Sequence, residues 1–104
     1  MNTHYRLIIN PFAELDLHSS FEFYELQKNG LGKEFMTEVD LTIHSIQLNP
    51  YQFNQNKKHI RKALMARFFF AVYYILIDDL INVFAVFHFS RNPKKLGGRI
   101  RKNT

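Results

Sequence analysis

An α+β domain follows from three features of this sequence. A short apolar, β-branched stretch opens the chain, two stretches then repeat apolar residues every three or four positions, and the C-terminal half holds apolar runs of strand length. The expected order is an N-terminal strand, a helical hairpin and a three-stranded antiparallel meander, with two helices covering one face of a small sheet. The 104 residues suffice for one domain and not two, expected to span 1–104 with a flexible basic tail from about residue 91.

Residues 4–10, HYRLIIN, have strand composition. Asn10-Pro11 is a helix start, because Asn caps free amides and Pro fits the first turn. Phe12, Leu15, Ser19, Phe23 and Leu26 form one stripe of that helix, and Leu17, Phe21 and Tyr24 an adjacent one, so the Phe residues are expected in the core. Asn29-Gly30 ends it, with Gly30 able to adopt a left-handed backbone. Phe35, Met36, Val39, Ile43 and Ile46 give the second helix its inward face, and Asn49-Pro50 stops it. The short connection makes the helices antiparallel neighbours.

Residues 57–65 alternate basic and apolar side chains, with Ile60 and Leu64 on one side together with Lys58 and Lys62. Residues 68–77 are apolar throughout, the mark of a central strand buried on both faces. Asp78-Asp79 is a turn, and residues 80–89 form the last strand. Pro93 and Gly97-Gly98 break any regular element after it.

Composition limits function. Hydrophobic residues at 46% supply enough apolar surface to fold. The absence of Cys excludes disulfides, zinc–thiolate sites and thiol nucleophiles. His4, His18, His44 and His59 lack metal-ligand spacing, so neither metal nor cofactor is expected. The N-terminus lacks the apolar core of a signal peptide, and the longest apolar run is about half of the roughly 20 residues a membrane helix needs. A cytoplasmic protein without membrane contact is the expectation. The net charge of +5 is segregated: residues 1–56 hold three basic and seven acidic residues, giving −4, and residues 57–104 hold eleven basic and two acidic, giving +9. Such asymmetry points to an anionic partner, either nucleic acid or an acidic protein segment.

Several segments then occur in a recognisable order. They are N-P-F-A-E-L-D-L from Asn10, Phe23-Tyr24-Glu25, Gly30 to Phe35 (GLGKEF), and Leu48-Asn49-Pro50-Tyr51. Ile60-Arg61-Lys62-Ala63-Leu64, Arg67-Phe68, Ala71-Val72-Tyr73-Tyr74, Phe87-His88 and Arg91-Asn92-Pro93 follow. Over roughly residues 5–96 the chain resembles the RelE/ParE superfamily of toxins from type II toxin–antitoxin modules, also labelled plasmid stabilisation proteins. The resemblance implies a small twisted sheet carrying a helical hairpin. It implies a growth inhibitor neutralised by a cognate acidic antitoxin, in a toxin–antitoxin hetero-oligomer or with a toxin dimer. RelE-like members cleave messenger RNA on the ribosome, whereas ParE-like members poison DNA gyrase.

RNA cleavage needs a proton-transfer group and cations against phosphate charge. His88, near the end of the last strand and on a face with Asn82, Phe84 and Val86, is the catalytic candidate if the chain is an RNase. Arg61, Lys62, Arg67, Arg91, Lys94 and Lys95 are the target- or phosphate-binding candidates. RNase-type members often carry an Arg where this chain has Ala71, and the C-terminal Tyr of some is replaced by Phe89. Arg67 falls four residues ahead of Ala71, on the same strand face and more than about 10 Å away. These departures favour the ParE-like reading, with a nuclease or a non-toxic antitoxin- or DNA-binding remnant as alternatives.

Overall fold

Asn10 begins the folded unit's first helix as its chemistry dictates. In the computed structural model, which describes residues 5–89, the Asn10 carboxamide oxygen accepts from the backbone N–H groups of Phe12 (2.9 Å) and Ala13 (3.2 Å). Pro11 occupies the first turn, where a missing N–H costs nothing. The elements are β1 (Arg6–Ile9), α1 (Pro11–Gln27), α2 (Leu31–Leu48), a 3₁₀ turn (Pro50–Gln52), β2 (Arg61–Leu64), β3 (Phe70–Ile77) and β4 (Leu80–His88).

The helical hairpin is closed by two residues. Gly30 takes φ +89°, the left-handed conformation that its position between helices requires. The Glu25 carboxylate reaches from α1 to accept from the N–H groups of Gly30 and Gly32, both at 2.9 Å. It places an anion on the positive end of α2, which has no side-chain cap of its own. Gly32 lets the helices touch, since a Cβ there would lie 2.8 Å from the Phe21 carbonyl oxygen. Asn49 ends α2, and its side chain accepts from the Tyr51 N–H at 3.1 Å.

The sheet order is β1-β4-β3-β2. β2, β3 and β4 form the expected meander, and β1 adds in parallel to β4, so the sheet is mixed. β3 is central and buried along most of its length. Tyr73 pairs with Ala85 and Tyr74 with Val83, so Phe84 is one residue too many. This bulge reverses the alternation of β4. Ile81 and Val83 before it, and Val86 after it, pack with Ala13, Leu17, Phe35, Val39, Ile46, Val72 and Tyr74 in the core between helices and sheet. Phe84, Ala85 and Phe87 join Ile60 in a second apolar cluster on the other face.

The bulge also realigns the edge of β4. Among the described residues no strand lies beside that edge beyond β1, and the amide of Val86 points outward there. Asp16 of α1 answers it: its carboxylate accepts from the Val86 N–H at 2.9 Å. Asp16 is buried, and the contact straps helix to sheet.

Three sequence expectations change. β2 is four residues long because Asn56 folds the preceding segment into a loop, its side chain accepting from the N–H groups of Lys58 (2.8 Å) and Ile60 (3.0 Å). Leu64 accordingly lies exposed on the face opposite the helices, while Ala63 enters the core. β3 starts at Phe70 because Phe68 and Phe69 adopt φ of 72° and 55°, which no strand tolerates. Leu15, Phe23 and Leu26 form the predicted stripe of α1, but it is the outer one, with Phe23 57% exposed. α1 meets the sheet through Ala13, Asp16 and Leu17, and of the adjacent expected stripe Leu17 is buried and Tyr24 packs against the core.

The charge segregation has a spatial form. Seven of the nine acidic residues lie on the two helices, whereas residues 57–67 contain five basic residues and no acid. Arg91, Lys94 and Lys95, with the tail expected from about residue 91, lie outside the described residues. Among the described residues no helix is long and apolar enough to cross a membrane.

Candidate functional site

One end of the sheet gathers rings. The turn after β2 carries Phe68 and Phe69, β3 begins with Phe70, and β4 ends with His88. Tyr24 of α1 sits 4.8 Å from the Phe68 ring and 5.3 Å from Phe35 of α2, and Phe35 lies 5.0 Å from Phe70. Edge-to-face pairs at these spacings add to the burial energy of the rings. Burial also pushes the Tyr24 phenol above its ordinary pKa.

His88 pairs with Phe70 and packs against its ring at 5.4 Å. The bulge places it on the helix-covered face with Val86, and not with Asn82 and Phe84 as regular alternation predicts. It is half-buried at the wall of a cleft of about 420 Å³ lined also by Ser19, Ser20, Phe23, Tyr24 and Phe70. Two hydroxyls, an imidazole and apolar ring faces can hold a flat or apolar group with a few hydrogen bonds.

Arg67 stands at this same end. It occupies the turn between β2 and β3, not a strand as its spacing predicts, and its guanidinium pairs with Glu34 at 3.1 Å and lies 4.8 Å from the centre of the Phe68 ring. Phe69 beside it is 69% exposed, with Phe89 6.3 Å away, ring to ring. Left-handed backbone at two bulky residues costs on the order of 1–3 kcal/mol each. The packed turn sustains it, and Phe69 is held out in solvent as a result. No sequence signal announces that strain, although the Phe68-Phe69-Phe70 run marks the place.

The other described cations are elsewhere. Arg61 faces the helix side at the far end of β2, paired with Tyr74, four positions along β3 from Phe70. That offset is about 13 Å along the strand alone. Its guanidinium donates to the Phe53 carbonyl at 2.6 Å and lies 5.2 Å from the Tyr51 ring. Lys62 pairs with Tyr73 and points to the opposite face. Ala71 is fully buried and pairs with Phe87, also on that opposite face. The structure therefore brings Arg67 to the end of the sheet that holds His88 and leaves Arg61 and Lys62 apart from it.

Compared as a sequence, the chain matches no family model and no curated protein. Compared as a structure, it matches a chain described as "Chromosomal ParDE TA system from P. aeruginosa", with a TM-score of 0.73 and 12% identity over 82% of this chain and 96% of that one. The fold is that of the ParE/RelE-like toxins.

Proposed function

We propose that this chain is the toxin of a type II toxin–antitoxin pair, acting in the ParE manner by binding a target such as DNA gyrase in the cytoplasm, and held inactive by a cognate acidic antitoxin. The observation that carries this reading is the fold, shared along nearly the whole length of a chain from a ParDE system. Among the described residues the site geometry favours binding over RNA cleavage. Phosphoryl chemistry needs cations converging on the proton-transfer group, each worth several kcal/mol of barrier. Here Arg61 and Lys62 lie away from His88, Ala71 supplies no cation, and Arg67 is engaged by Glu34. Arg67, over the Phe68 ring, and the exposed Phe69 two residues on instead make an anchor of the kind that dominates protein interfaces.

Induced expression of the chain alone tests this. The expected result is growth arrest with a DNA-damage response and intact transcripts, relieved by co-expressing the acidic protein of a neighbouring reading frame. Shortened transcripts, with arrest abolished by His88→Ala, would establish the nuclease. Normal growth at high soluble expression would establish a non-toxic remnant.

A further inference from the structure

At the end of the sheet away from His88, Arg61 is half-buried and without a counter-ion. Among the described residues no carboxylate lies within ion-pair distance of it, since the ion pairs there are Arg6–Asp79, His18–Glu22 and Arg67–Glu34. A guanidinium has five N–H donors, and a charge withdrawn from water normally meets an opposite charge. One donor is committed, to the Phe53 carbonyl at 2.6 Å. The Tyr51 ring lies 5.2 Å from the guanidinium carbon and supports it from one side. Arg61 borders a polar cleft of about 310 Å³, completed by Tyr51, Gln55, His59, Leu76 and Asp78.

The loop that walls this cleft is built to hold its shape. Asn56 accepts from Lys58 and Ile60, donates its own N–H to the Ile60 carbonyl at 2.8 Å, and accepts the His59 N–H at 3.1 Å. His59 is thereby held at φ 65° with its side chain on the cleft. We propose that this cleft binds the carboxylate side chain of an acidic peptide segment, received by the fork of Arg61 and drawn in by Lys57 and Lys58 of the adjoining loop. A carboxylate matches the planar donor pair of Arg in two parallel bonds. Leu76 gives the methylene stem of a Glu an apolar wall. Asp78 on the rim favours a peptide over a nucleic acid, since its oxygens can accept from a peptide N–H, a donor that a phosphodiester backbone lacks. The biological role of the site rests on the antitoxin reading above; its chemistry does not.

The test is a titration of the isotope-labelled full chain, followed by the Arg61 side-chain N–H and the backbone amides of Gln55, His59 and Arg61. The probes are a capped tetra-glutamate peptide and, separately, a deoxythymidine hexanucleotide. The peptide is expected to shift these resonances, and Arg61→Lys to weaken its binding about tenfold, because Lys keeps the charge and loses the fork. Asp78→Asn leaves Arg61 in place and suits the left-handed turn, so it keeps the question open to measurement should Arg61→Lys fail to fold; it is expected to tighten peptide binding about threefold. A peptide that moves none of these resonances overturns the proposal. So does a hexanucleotide that moves them at lower concentration than the peptide. Failure here leaves the growth-arrest experiment unaffected, and an inert chain in that experiment leaves a positive titration standing.

Discussion

Replacing Asp16 by Ala should loosen the end of β4 that carries His88. The carboxylate of Asp16 accepts from the Val86 amide, a buried contact at 2.9 Å. A buried amide left without an acceptor costs about 1–3 kcal/mol, and a charged acceptor sits at the upper end of that range. Among the described residues no strand is placed to take over, because β1 pairs with β4 only as far as Val83. A loss of about 2 kcal/mol lowers the melting temperature of a domain this size by roughly 8–16 °C. Asp16→Asn keeps an oxygen in reach of the amide and should lose only about 1 kcal/mol. Urea unfolding gives the energies, and hydrogen exchange at the Val86 amide locates them. Exchange at Val86 should accelerate in the Ala variant more than at Val72, across the β3–β4 ladder. Equal stabilities for the two variants, with Val86 protection unchanged, would refute the strap.

Tyr74→Phe should cost about 1–3 kcal/mol, because the buried phenol donates to the Pro50 carbonyl at 2.6 Å and the carbonyl would be left bare. Burial pushes the Tyr74 phenol up to about 12, with Arg61 opposing weakly, against 10.0 in the unfolded chain. The unfolded chain thus ionises first, and stability that is full below pH 10 falls by on the order of 2–3 kcal/mol towards pH 12; Tyr74→Phe should flatten that decline in alkaline unfolding curves, and an unchanged decline would contradict the assignment. Gly32→Ala should destabilise by about 0.5–2 kcal/mol in thermal melts, because the clash with the Phe21 carbonyl outweighs the better helix propensity of Ala; a higher melting temperature would contradict the close approach. Phe69→Gly should leave the fold unchanged or up to about 1 kcal/mol more stable, since Gly adopts φ 55° freely, while growth arrest weakens; a marked loss of stability would make Phe69 a packing residue instead.

The helical hairpin was legible because its signals are local. Asn10-Pro11, Gly30 and Asn49-Pro50 fix helix boundaries by caps and forbidden conformations, and each works as its chemistry requires. The strands were legible as apolar runs, but not their ends. Asn56 and the left-handed pair Phe68-Phe69 end pairing through backbone geometry that composition does not encode. The bulge at Phe84 was invisible for the same reason, and it alone moved His88 to a different face. Asp16 read as an acid favouring a helix N-terminus; only the fold shows that an unpartnered strand amide lies opposite it. The candidate cations Arg61, Lys62 and Arg67 do not form one constellation, because they diverge once β2 is only four residues long.

The bulge at Phe84 sets which side chains the end of the last strand turns to each surface. Everything before it is pinned by neighbours on both sides, and everything after it stands one step out of the alternation that precedes it. Deleting that residue would set Val83 and Ala85 side by side opposite Tyr74 and Tyr73, a regular ladder in which Phe87 and His88 keep the faces they have now. One residue inserted between Ala85 and Phe87 would instead exchange the two faces at this corner, so two descendants of this scaffold could differ in its chemistry by one codon.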